Sequence, residues 1–192
     1  SSACGPVWEG LCFATMDQFK KLWDESHRGG LPLILNFYNN FYGMGGQPEG
    51  ETMGFGTLAR LGAGLNPEQM HAERVDGYNP LAVADAILRK REILEKGDGP
   101  VLLDTITYRY SGHSPSDQSS YREKSEIEAW QEHDPTVNFG KELVKAKICD
   151  NGKIEEILKN AEQLMVKALK KASDVTISPR ADLMRQENHL LE

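Results

Sequence analysis

Between Leu31 and Phe37 the chain reads LPLILNF, a continuous apolar run too short for a helix. A run without polar alternation predicts a parallel strand buried on both faces. A second run, VLLDTITYR from Val101 to Arg109, is rich in β-branched residues and predicts another strand. HAERVDG (His71–Gly77) predicts a short strand closed by a turn. Elsewhere the apolar positions take helical spacing. From Trp8 to about His27 the recurrence of Leu11, Met16, Phe19, Leu22 and Trp23 among charges predicts one helix, ended by Arg28-Gly29-Gly30. Asn79-Pro80 predicts a helix start, an N-cap followed by proline at the first helical position, and LAVADAILRKREILEKG carries that helix to Gly97. Residues 43–67, rich in glycine and polar side chains, predict a long loop with one short helix, and loops of that length inside compact domains tend to be functional. Further on, SEIEAWQEHDP, FGKELVKAKI and KIEEILKNAEQLMVKALKKA predict helices, with Asp150-Asn151-Gly152 as a turn before the last.

Strands alternating with helices predict an α/β fold, a parallel sheet with helices on both faces, followed by a C-terminal helical extension. Residues 1–125 are expected to form the α/β part and residues 126–192 the extension and tail. Parallel sheets bind ligands beyond the carboxyl ends of their strands. Two unusual segments fall there: YNNFYGMGG (Tyr38–Gly46) and YSGHSPSDQSSYR (Tyr110–Arg122). They are expected to share one cleft.

The chain has 192 residues, long enough for a core. A net charge of −7 argues against nucleic acid or an acidic membrane as partner. No stretch reaches the ~20 apolar residues of a membrane span. The three cysteines, Cys4, Cys12 and Cys149, have neither metal-ligand spacing nor the even count of a disulfide framework, which predicts reduced thiols and a cytoplasmic protein. The chain opens without an initiator methionine and is expected to be a fragment of a longer polypeptide.

Asparagine oxygens and backbone carbonyls are hard, neutral ligands suited to magnesium, which takes a few protein groups and completes its shell with phosphate and water. Asn40 and the carbonyl of Tyr42 are the candidates, while Gly43, Gly45 and Gly46 let the backbone approach a diphosphate. Arg109 offers a planar phosphate-binding fork, and His113 an acid, base or donor. Each has a plainer reading: Asn-Asn alone marks a turn, and a lone loop histidine is a surface residue. His27, His71, His133 and His189 are read as structural. Ser114, Ser116 and Ser120 are either modification sites or turn formers.

YNNFYGMGG, RVDG and TYRYSGHSPSDQSSYR together resemble the alpha subunit of the thiamin-diphosphate-dependent 2-oxo-acid dehydrogenases of the pyruvate, branched-chain and acetoin types. The resemblance runs from about Gly5 to at least Pro135. It implies a thiamin-diphosphate-binding fold, here incomplete, because the Gly-Asp-Gly half of the thiamin motif would stand just upstream of Ser1. It implies Asn40 and Tyr42 as magnesium ligands, Arg109 on the diphosphate and His113 facing the reacting centre. It also implies oxidative decarboxylation of a 2-oxo acid, acyl transfer to the lipoyl groups of an acyltransferase, and a beta subunit, or the beta half of a fused chain, as partner. The chain alone is expected to fold, to be inactive and to associate into oligomers. A thiamin enzyme of transketolase type and a non-catalytic assembly module stand as alternatives.

Overall fold

Asp104 sits at the middle of a strand whose every neighbour is apolar or β-branched, and that strand, β3 (Val101–Ile106), is the centre of the sheet. The computed structural model of the protein describes residues 4–16, 29–44 and 56–179. Among them are three strands: β1 (Ile34–Asn39), β2 (Glu73–Asp76) and β3, in the order β1-β3-β2 and all parallel. Ile34 pairs with Val101 and Asn39 with Ile106 along β1, while Arg74 faces Asp104 across β2. The expected parallel α/β arrangement is therefore present.

Alternation along β3 divides the core in two. Leu102 packs on one face with Leu11 of helix α1 (Gly5–Ala14) and with Leu58, Leu61 and Met70 of two 3-10 turns, Leu58–Gly62 and Gln69–His71. Leu103 packs on the other with Val75 and with Ala86 of helix α2 (Pro80–Glu95). Each leucine so buried contributes about 1.5–3 kcal/mol. Helix α2 begins as its sequence predicts: the Asn79 side chain accepts from the N–H groups of Leu81 and Ala82. Gly77 closes β2 tightly, since a Cβ there would collide with the Ile106 carbonyl.

Two expectations need correction. The run at 31–37 is not buried on both faces. It yields β1, shifted to Ile34–Asn39, which is half-buried with Tyr38 73 % exposed, because β3 takes the centre and leaves β1 at an edge. The helix expected from Trp8 to about His27 ends at Ala14, where the Thr15 hydroxyl and N–H both turn back to the Cys12 carbonyl; residues 17–28 lie outside the described ones.

Beyond β3 come α3 (Lys124–Glu132) and α4 (Pro135–Lys145). The chain divides into two compact units, Ser1–Phe139 and Gly140–Glu192. The second holds α5 (Asn151–Ser173), capped by the Asp150 carboxylate on the Lys153 N–H, so the expected Asp150-Asn151-Gly152 turn is in fact cap and first helical residues. Leu164 and Leu169 on α5 are 67 % and 70 % exposed. Among the described residues no helix is long and apolar enough to cross a membrane. Cys4, Cys12 and Cys149 are free thiols.

Candidate functional site

Because β1 and β3 are parallel neighbours, the segments that leave their carboxyl ends start side by side. Thr107 N–H still reaches the Asn39 carbonyl, at 2.8 Å. After that the two asparagines divide the work. Asn39 turns inward, its Nδ2 donating to Asp104 Oδ1 at 3.0 Å. Asn40 curls over its own turn, its Oδ1 accepting from the Tyr42 N–H at 3.1 Å. Between Asn40 and Tyr42, Phe41 takes a left-handed backbone, φ 64°. An amide oxygen has two lone pairs, so Asn40 keeps one for a further partner.

The loop after β3 meets this turn through Arg109. Its Nη2 donates to the Gly43 carbonyl at 3.4 Å and to the Tyr121 hydroxyl at 3.0 Å, and its Nη1 lies 3.1 Å from His113 Nδ1. A guanidinium cannot accept, so His113 Nδ1 must be the acceptor and the ring hydrogen sits on Nε2. Arg109 Nε is buried with no partner at all. Among the described residues every acceptor of this cation is neutral, and no carboxylate lies within ion-pair reach. Burying an unmatched guanidinium nitrogen is costly, and an anion relieves the cost.

The loop itself is tied by two side chains. Asp117 accepts from the His113 and Ser119 N–H groups and from the Tyr121 hydroxyl. Those bonds, the His113 one first, hold its carboxyl below the usual range. Arg122, 7 % exposed, donates to the carbonyls of Arg109 and Ser111 and lies 5.3–5.6 Å from the ring centres of Tyr42, Tyr108 and Tyr121. Trp130 of α3 stacks on Tyr108, rings 5.0 Å apart and 8° from parallel. Burial, then its hydrogen bond to Glu126, pushes the Tyr42 hydroxyl up to about 12, and the same two causes raise Tyr108.

A family model described as dehydrogenase E1 component matches residues 5–180. The chain belongs to that family. It is 29 % identical over 191 residues to the pyruvate dehydrogenase E1 component subunit alpha of Staphylococcus epidermidis, covering 97 % of this chain and 47 % of that protein. To the mitochondrial type I alpha subunit of the pyruvate dehydrogenase E1 component of Ascaris suum it is 33 % identical over 177 residues, covering 91 % and 41 %. The chain spans about half the length of the curated relatives it matches.

Within this E1 chain the structure brings together four sequence-predicted residues: Asn40 and Tyr42 on one turn, Arg109 and His113 on the next, joined at Gly43. Gly45 and Gly46 lie outside the described residues. Among the described residues no three His, Cys, Asp or Glu gather as a metal site, here or elsewhere. His71 Nε2 lies 3.1 Å from the Asp98 carbonyl, and Ser114, Ser116 and Ser120 are exposed. Sequence reasoning missed Asp104, Glu126, Asp117 and Arg122. A charged residue inside a run expected to be buried on both faces was a signal for Asp104; nothing local distinguishes Glu126 from a surface glutamate.

Proposed function

We propose that this chain is part of the decarboxylating component of a 2-oxo-acid dehydrogenase complex. Arg109 carries the reading: a cation whose hydrogen-bond acceptors are all neutral and whose Nε is orphaned, at the carboxyl edge of a parallel sheet, suits a diphosphate. Thiamin diphosphate, which E1 dehydrogenases use, supplies when bound the electron sink for loss of carbon dioxide. The residues present fit that group. Arg109 would take diphosphate oxygens, and Asn40 Oδ1 with the Tyr42 carbonyl would hold magnesium through neutral oxygen. His113, its Nδ1 occupied by Arg109, leaves Nε2 as the atom that holds or passes a proton while the acyl group moves to a lipoyl acceptor. The natural partners on this reading are a beta subunit or beta half and a lipoyl acyltransferase. The exposed apolar side chains of α5 support association with a further chain.

The test uses the assembled component, this chain in its full-length form with its partner. Charge-assisted hydrogen bonds contribute about 1.5–3 kcal/mol, so Arg109→Ala should weaken thiamin diphosphate roughly 10- to 100-fold by calorimetry. His113→Ala should leave that affinity nearly intact and lower acyl transfer to lipoamide by about 100-fold or more. The reverse pattern overturns both roles.

A further inference from the structure

Glu126 lies in the first turn of α3, where free N–H groups favour a negative side chain. A surface glutamate there would face water. Instead one oxygen, Oε1, accepts from the Tyr42 hydroxyl and from the Tyr108 hydroxyl, each at 2.8 Å. Tyr42 belongs to the turn after β1 and Tyr108 to the segment after β3, so a single carboxylate oxygen joins three pieces of chain beyond the end of the strand ladder. Tyr42 is thereby held at both ends, its N–H by Asn40 and its hydroxyl by Glu126. Its ring is packed in between, 5.8 Å from Tyr121 and 6.4 Å from Tyr108. The next residue, Gly43, takes Arg109 Nη2 at 3.4 Å, near the limit of a hydrogen bond, where a small displacement of the turn breaks the contact.

We infer that Glu126 is a positioning residue that sets the Asn40–Gly43 turn, through the Tyr42 hydroxyl, for the magnesium and diphosphate bound there. The inference rests on the cofactor reading of that turn given above. Glu126 touches neither ligand; it fixes the tyrosine whose backbone carbonyl is the metal ligand, and it does so from the helix that follows the His113 loop. The two halves of the site are thus locked to each other by one side chain outside both motifs.

A double-mutant cycle tests it, read as the magnesium dissociation constant of the assembled component at saturating thiamin diphosphate. Glu126→Ala and Tyr42→Phe should each weaken magnesium roughly 5- to 10-fold, because both break the part-buried, charge-assisted Tyr42–Glu126 hydrogen bond; Glu126→Ala also frees the Tyr108 hydroxyl, which is not on the metal turn. The double variant should be no weaker than Glu126→Ala alone, because both changes break the same link. Glu126→Gln, whose amide oxygen still accepts, should stay within about threefold of the parent. Tyr42→Phe removes a single oxygen from a packed ring and carries the test should Glu126→Ala not fold. Additive losses, or a Glu126→Ala variant with unchanged affinity beside an Asn40→Ala variant that is weakened, overturn the inference. If Asn40→Ala also leaves magnesium unchanged, the cofactor reading of the turn has failed, and the role of Glu126 falls with it.

Discussion

Removing the charge of Asp104 should destabilise the first compact unit more than removing its ion-pair partner. Asp104 is 0 % exposed. Its Oδ1 accepts from Asn39 Nδ2 at 3.0 Å, and its Oδ2 accepts from the Ala59 N–H at 3.2 Å and from Arg74 Nε at 2.9 Å. Three donors converge, so Asp104→Asn keeps the shape but turns an NH2 toward at least one of them. One bond is lost if the NH2 stands at the Oδ1 position and two if it stands at Oδ2. Either way donors face each other and the charge opposite Arg74 is gone, which costs about 3–5 kcal/mol, the range for breaking a buried charged pair. The Arg74 side chain is still 36 % exposed, and water can take over part of its role. Arg74→Met should accordingly cost less, about 2–3 kcal/mol. For a chain of this size 1 kcal/mol moves Tm by about 2–4 °C, so Asp104→Asn should lower it by roughly 6–20 °C. Tryptophan fluorescence in a urea titration reads this unit alone, because no aromatic residue follows Phe139. A loss below about 1 kcal/mol for Asp104→Asn, or a larger one for Arg74→Met, would refute this reasoning.

Asp104 also shows where sequence stops being informative. The VLLDTI run announced a buried strand, and Asn79-Pro80 announced a capped helix, because both signals are local: β-branched sterics and a side chain bonding its own backbone. The neighbourhood of the two motif loops was legible too, since parallel strands force their exits to one edge. What Asp104 bonds to was not, because its partners arrive through sheet register and through a turn 45 residues away in sequence. Glu126 is a stronger case: it meets Tyr42 across 84 residues, and at the start of a helix its charge already has a local explanation. The half-burial of β1 escaped for a related reason. An apolar run reports that a strand forms, whereas its rank in the sheet depends on strands elsewhere.

Two further outcomes follow from the same contacts. Asn79→Ala removes a cap that satisfies two helix-end N–H groups and should cost about 1 kcal/mol in the same urea titration, while an unchanged midpoint would mean that water caps α2 equally well. Glu73 gives a pH dependence of definite sign. Hydrogen bonds from Arg89, opposed in part by burial and reinforced by Lys90, hold its carboxyl at about 2, below the ordinary 4.5. The unfolded chain therefore binds this proton more tightly than the folded one. The stabilisation is complete above about pH 5 and disappears as the pH falls toward 2. With 29 % of the Glu73 side chain and 47 % of that of Arg89 still exposed, solvent screens the interaction and leaves on the order of 1 kcal/mol. Glu73→Gln should lose that amount at pH 6 and progressively less on acidification, so that the two stability curves converge between pH 4 and pH 2. Curves that stay parallel over that range would show that the carboxylate contributes by packing and not by charge.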